Sequence, residues 1–284
     1  MATAFAHTNI ALVKYWGKRA SKGLNLPAVG SLSLTLDRFG TETTVELRAD
    51  PHDDTFALDG YDVDAGEASK VFRFLERVRA LAARTERACV VSKNHVPTAA
   101  GLASSASAFA ALALAATRAY GLSLDDKALS ILARQGSGSA ARSIFGGFVI
   151  WHRGNSDDGT DSFAEPLSSS LAARLVVVRA ASGKKETGST DGMEHTSSTS
   201  PYFRAWVDTH AQDLVDAQAA LASGDLARLG EVMEHSTLKM HATTLAARPG
   251  FVYFQPTTIA VLQAVKALRA RGTGAWATWT PVRT

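Results

Sequence analysis

The chain has 284 residues, 46% hydrophobic and 20% charged, enough apolar content for one large or two ordinary domains around a real core. A formal net charge of +3 without a block of five or six basic residues argues against a nucleic-acid partner. There is no apolar run of about eighteen residues, no signal-peptide-like start, and a single cysteine, Cys89, that cannot form an internal disulfide. The expectation is a cytoplasmic protein that does not associate with membranes.

Read in chain order, residues 43–47 alternate as a strand does, and 68–83 carry apolar residues at helical spacing. Residues 89–91 read as another strand and 97–101 as a small-residue loop. An alanine-rich helix over 104–120 follows, with Gly121 as its stop. A further helix is predicted over 124–134, a turn at 136–139 and a strand over 145–151. Residues 154–161 are loop-like. The run Leu175, Val176, Val177, Val178 predicts a buried strand opening a second domain. Residues 182–200, rich in Ser, Thr and Gly, read on composition as a flexible linker. Helices are predicted over 201–222, 226–245 and 257–270. Strands and helices mixed without strict alternation predict the α+β class.

Three clusters carry chemistry. The first runs Pro97, Thr98, Ala99, Ala100, Gly101, Leu102, Ala103, Ser104, Ser105. Small residues let backbone approach a phosphate, and the serines then open a helix whose free N–H groups and dipole favour anions. No lysine follows the last glycine, so this is not a Walker loop; taken alone, such a turn is more often simple capping. The second cluster is Gly136, Ser137, Gly138, Ser139, Ala140, Ala141, Arg142, Ser143. Arg142 offers a planar fork for a phosphate or carboxylate, against the plainer alternative of a flexible turn with a solvated arginine. The third, residues 9–19, gathers Tyr15, Trp16, Lys18 and Arg19 beside Gly17, a set suited to an anionic ligand or to an interface strand. His235 and His241 are six residues apart and give no metal spacing. Met193, Trp276 and Trp279 read first as packing residues.

In this order the three clusters resemble the mevalonate diphosphate decarboxylases, of the superfamily named for galactose, homoserine, mevalonate and phosphomevalonate kinases (GHMP). A later segment, Ser189, Thr190, Asp191, Gly192, Met193 with Thr199 and Ser200, resembles the family's substrate side. The resemblance implies a two-lobed GHMP-kinase fold: a ribosomal-protein-like N-terminal lobe with a left-handed βαβ unit, and a ferredoxin-like C-terminal lobe. The lobes are expected at 1–172 and 173–284, the second incomplete. The implied reaction is ATP-dependent decarboxylation of mevalonate 5-diphosphate to isopentenyl diphosphate, in isoprenoid biosynthesis, with Mg²⁺. By the same resemblance Pro97, Ala99, Ala100, Gly101, Leu102, Ser104 and Ser105 would hold ATP. Tyr15, Trp16, Gly17, Lys18, Ser137, Gly138, Ser139, Ala140, Ala141, Arg142 and Thr196 would hold the substrate. Lys18 and Arg142 would be catalytic, Arg142 facing the carboxylate, and a homodimer is the common assembly. Two small departures are Gly30, where the family usually has Asn or Ser, and Ala141, often Cys.

A larger departure lies near residue 280. The family reads approximately Ala-Tyr-Thr-Met-Asp-Ala-Gly-Pro-Asn, with its aspartate near the 3-hydroxyl; here Thr280 stands at the aspartate's place. A hydroxyl is no base near neutral pH, and losing such a group costs about 10²–10⁴ in rate. Codons for Met-Asp-Ala-Gly-Pro-Asn, read one base out of frame, give Trp-Thr-Pro-Val-Arg and the start of Thr, the sequence of residues 279–284. The expectation is a one-base frameshift, which reading the gene across this junction checks, and a chain poorly stable or inactive as a decarboxylase. The alternatives are a mevalonate 3-kinase, since some relatives carry threonine there, and a nucleotide-binding remnant.

Overall fold

The computed structural model describes residues 1–19, 23–49, 53–95, 104–178 and 188–279. A seven-stranded mixed sheet organises the first half, with strands β1 (Ala2–Val13), β2 (Ser31–Arg48), β3 (Thr55–Leu58), β4 (Tyr61–Asp62), β5 (Arg87–His95), β6 (Phe148–Trp151) and β7 (Ala164–Leu167). The order is β4-β3-β5-β2-β6-β7, with β1 on the other edge of β2. The long β2 is the spine. Its start pairs antiparallel with β6 and its end with β5, while β1 runs antiparallel along it from Ala2↔Val45 to Val13↔Leu32. Register shifts in β1 at His7/Asn9 and Ala11/Val13 mark the stretch from which the site is built.

Helices α1 (Ala65–Ala82), α2 (Ser104–Ala119) and α3 (Asp126–Gly136) pack on this sheet. Asp64 caps α1 by accepting from the Gly66 and Glu67 amides, and Asp125 caps α3 through the Ala128 amide. Ala110, Ala111, Ala113, Ala115 and Ala116 of α2 are fully buried. Their small side chains let the helix sit close on Ala4, Ala6, Val45 and Val90. Beneath α1, Arg79 is buried against Asp54 at 2.9 and 2.7 Å, a bidentate pair that leaves neither charge uncompensated.

The second half is helical among the described residues: α4 (Ser189–Thr199), α5 (Phe203–Ser223), α6 (Leu226–Leu245) and α7 (Pro256–Ala270). α5 and α6 form a hairpin through Gly224, with Asp225 capping α6 by accepting from the Arg228 amide. They bury Ala217, Ala220, Leu221, Leu229 and Met233 against Leu12, Val13, Leu32 and Phe148 of the sheet. The expected strand at 175–178 does not form: those residues pair with no strand among the described residues, and Val176 is 86% exposed. A short apolar run specifies burial only when a partner edge is present, and none lies beside this one among the described residues. The expected linker over 182–200 is in part α4, anchored by Met193 and Thr196. The strand expected at 145–151 begins three residues later, because the chain bends at 145–147, with Gly147 at φ +69°, as it leaves the 3-10 helix Gly138–Ile144. No helix among the described residues is long and apolar enough to cross a membrane.

Candidate active site

The chain leaves β1 as Lys14, Tyr15, Trp16, Gly17 and Lys18 between the sheet and the helical half. Gly17 has φ +91°, and a Cβ there would lie 2.5 Å from Cζ of Phe203, so both backbone and space require glycine. Trp16 is a buried anchor. It packs among Met193, Trp206 and Met240, and its carbonyl accepts the Trp206 indole N–H at 3.1 Å. Lys18 bridges back to Pro27 and donates from Nζ to Asn25 Oδ1 at 2.9 Å. Asn25 in turn donates to the carbonyls of Arg134 and Gln135, which places Lys18 beside the end of α3, immediately before Ser137. Burial lowers the Lys18 pKa, opposed by the nearby carboxylates of Glu194 and Asp191.

Arg142 is not a solvated arginine on a flexible turn. It lies in the 3-10 helix and is only 2% exposed. Its Nε and Nη2 donate to Asn9 Oδ1 at 3.1 and 3.0 Å, its Nη1 donates to Ser31 Oγ at 2.5 Å, and Trp151 lies beside it at 5.6 Å. Asn9 is fixed from the other side, donating from Nδ2 to the Ser139 carbonyl and to Ser143 Oγ. No carboxylate pairs with Arg142 among the described residues. Burial pushes its pKa down to about 10. Ser139 and Ser143 thus belong to the frame that aims the guanidinium.

Lys14 is a second buried cation, 2% exposed, whose Nζ donates to the Ala11 carbonyl at 3.0 Å. Its amide donates to Ser236 Oγ on α6, closing the helical half over the strand. Burial, and then the charge of Arg142, bring its pKa down to about 7. Asn9 and Lys14 lie inside the third cluster, but neither they nor Ser31 were singled out from the sequence as site residues. The available signal was an asparagine within β1 and a lysine directly after its apolar end. Tyr15 stacks edge-on at 4.8 Å against Trp151, and its hydroxyl is buried without a partner among the described residues. A Cβ on Gly138 would come within 2.8 Å of that hydroxyl, so glycine there keeps Tyr15 in place.

Ser137 Oγ lies 3.5 Å from both Ser105 Oγ and Ser139 Oγ. Three hydroxyls at such long separations, beside the first turn of the 16-residue α2, make an open polar face at a helix N-terminus, which suits phosphate oxygens. Pro97, Ala99, Ala100, Gly101 and Leu102 lie outside the described residues, as do the side chain of Ser104 and all of Thr280. Ala140 and Ala141 are fully buried in the apolar clusters of the sheet half. Thr196 is also buried, its hydroxyl donating to the Gly192 carbonyl one turn back at 2.6 Å. Gly30 packs under α5: a Cβ would meet Leu214 at 2.8 Å, and its carbonyl accepts from His210 Nε2. A side chain there would press on the end of Leu214 and on the Trp151 carbonyl at 3.0 Å. The described residues hold no group of three His, Cys, Asp or Glu side chains for a metal. Hydroxyls around a phosphate face are the hard ligands that Mg²⁺ accepts together with phosphate oxygens, so the site fits that ion arriving with nucleotide.

An α+β sheet layer, a helical layer docked on it, and buried cations with a hydroxyl-lined helix start between them define a protein of the two-lobed small-molecule kinase type. Residues 6–164 match the diphosphomevalonate decarboxylase-like N-terminal domain, and 175–280 match the mevalonate 5-diphosphate decarboxylase C-terminal domain. The diphosphomevalonate decarboxylase of Gibberella zeae is 36% identical, over 95% of this chain and 75% of its own length. The phosphomevalonate decarboxylase of Haloferax volcanii is 37% identical, over 94% and 81%. Among solved structures, the mevalonate diphosphate decarboxylase of Staphylococcus aureus superposes with TM-score 0.91 at 42% identity, covering 99% of this chain and 85% of that one. That of Enterococcus faecalis gives 0.89 at 44%, covering 99% and 86%. The chain belongs to the diphosphomevalonate decarboxylase family.

Proposed function

We propose that this protein acts on mevalonate 5-diphosphate with ATP, yielding isopentenyl diphosphate, ADP, inorganic phosphate and carbon dioxide. The observation that carries the reading is Arg142: a buried guanidinium, held on one side by Asn9 and Ser31, without a carboxylate among its described partners. Such a group is built to receive an anion, and the substrate's carboxylate has the matching planar geometry. Tyr15, Lys18 and Ser139 would take the phosphorylated end. Ser105 and Ser137, at the start of α2, would face the ATP phosphates. Mg²⁺, bound with the nucleotide, would neutralise charge on the transferred phosphoryl group.

The reaction then needs little covalent help from the protein. The 3-hydroxyl oxygen takes the γ-phosphoryl group as its bond to the ADP oxygen breaks, and the hydroxyl proton passes to water. The 3-phosphate departs with its bonding pair; the carboxylate carbon breaks from the chain, and that pair forms the new double bond as carbon dioxide escapes. Arg142 orients the carboxylate for this loss, and Lys14 places positive charge next to it. The cytoplasm is the compartment this chemistry implies, and sedimentation would read the homodimer expected from the family.

The test measures ADP release and carbon dioxide release separately, with mevalonate and with its 5-phosphate and 5-diphosphate. Stoichiometric release of both with the diphosphate is the expected result. ADP without carbon dioxide would convert the reading to a 3-kinase, and binding without either product would mark a non-catalytic chain. Because Thr280 stands at the family's aspartate position, Thr280→Asp should raise the rate, by about 10²–10⁴ if the carboxylate acts as base. An unchanged rate would remove position 280 from the chemistry.

A further inference from the structure

The Lys18 ammonium is aimed by one side chain. Asn25 Oδ1 accepts from Lys18 Nζ at 2.9 Å, while Asn25 Nδ2 donates to the carbonyls of Arg134 and Gln135, both at 3.1 Å. All three contacts require the same orientation of the amide, because an ammonium can only donate and a carbonyl only accept. The two carbonyls lie in the last turn of α3, where a helix has run out of amides to offer them. Asn25 therefore ties the lysine to the end of a helix. Its own backbone is fixed from both sides. Asn25 has φ +52°, a left-handed conformation that asparagine and aspartate tolerate better than most side chains. The Leu24 carbonyl accepts from Arg134 Nε at 3.1 Å, and the Leu26 carbonyl accepts from the Arg19 amide at 2.9 Å. Arg134 and Leu26 are fully buried. Arg77 of α1 braces the same loop, donating to the Gly23 carbonyl and to Gln135 Oε1.

We propose that Asn25 is the positioning residue for Lys18, its neutral amide fixing the ammonium to the end of α3 while leaving the positive charge whole for an anionic group of the substrate. The inference rests on the reading that Lys18 takes the phosphorylated end. Capping α3 uses only the two Nδ2 donors, and Oδ1 is left for the lysine. An aspartate would suit the backbone equally and grip the ammonium harder. It would also cancel the charge and set its oxygens against two carbonyl oxygens. The other charged groups acting on Lys18 are Lys70 on α1 and Asp191 and Glu194 on α4.

The test is a double-mutant cycle on the full chain, with calorimetric binding of mevalonate 5-diphosphate to wild type, Asn25→Asp, Lys18→Met and the pair. Each single variant should bind about tenfold or more weakly, as loss of one hydrogen bond to a charged group predicts. The pair should bind no more weakly than Lys18→Met alone, since Asn25 acts through the lysine; an asparagine that only supports the fold would give losses that add. NMR of the labelled Lys18 amine reads the same link without ligand, and Asn25→Asp should raise its pKa. Asn25→Gly, which accepts the same backbone and removes the acceptor, should weaken binding too and again add nothing to Lys18→Met. It keeps the test decisive should the aspartate variant fail to fold. Additive losses, an unmoved amine in Asn25→Asp, or wild-type affinity in either Asn25 variant would overturn the proposal while leaving the reading of Lys18 intact. Wild-type affinity in Lys18→Met, or no binding by wild type, would overturn both.

Discussion

Lys14 and Arg142 are two cations enclosed with only neutral oxygen partners among the described residues, and that arrangement has measurable consequences. For Lys14 the folded-state pKa of about 7 lies below the ordinary 10.5. Between those values the unfolded chain holds a proton that the folded chain does not. Stability from this group is therefore lowest below pH 7 and rises as pH increases toward 10.5. Lys14→Met should remove that burden, raising stability at pH 6.5 by about 1–4 kcal/mol in urea unfolding while weakening substrate binding. A variant less stable than wild type would contradict the account. An anion entering beside Lys14 should restore its charge, so binding at pH 8 should take up as much as about one proton. Calorimetry in two buffers of different ionisation heat reads this directly, and zero uptake would show that the ligand does not reach the pair. Neither property was legible in the sequence. Lys14 and Asn9 sit in a segment whose apolar period is strong, and periodicity treats a polar residue there as an exception rather than as a site.

The elements divide by how local their causes are. α6 spans 226–245 in both prediction and structure, because its period, its Asp225 cap and the preceding Gly224 are all local signals. α2 was legible for the same reason. The expected strand at 175–178 fails because pairing is not local, and α4 hides in a Ser/Thr-rich stretch because its burial comes from Trp16 and Tyr253 packing against Met193 and Gly192. The docking of α5 on the strand exit depends on the Trp206 indole donating to the Trp16 carbonyl. Trp206→Phe keeps most of the packing but leaves that carbonyl buried and unpaired, a loss of about 1–3 kcal/mol. Unfolding in urea should show it. If stability is unchanged, water or a rearranged partner satisfies the carbonyl and the indole is not the clasp. Gly17 is a second element-scale constraint. Gly17→Ala puts a Cβ against Phe203 and holds a positive φ, and should lower stability by at least about 1–2 kcal/mol.

At the scale of the whole molecule, the order of the three motifs pointed to the family, but the motifs lie far apart in the chain and say nothing of how they meet. Folding brings them together by contacts invisible to any one motif: Asn9 to Ser139 and Ser143, Arg142 to Ser31, and Lys14 to Ser236. The last of these joins the sheet to α6, so ligand held at the strand exit engages both halves of the protein. A ligand that binds only the folded chain stabilises it by RT ln(1 + [L]/Kd), about 2.7 kcal/mol at a hundredfold excess over Kd. Mevalonate 5-diphosphate at that excess should therefore raise the melting temperature by roughly 5–10 °C in a single cooperative step. Arg142→Gln should abolish the shift, since it removes the carboxylate's partner and leaves Asn9 and Ser31 without their donor. Two resolved transitions, of which ligand moves only one, would show that the halves unfold independently. The site would then belong to one of them, and the Lys14–Ser236 contact would carry no coupling between sheet and helices.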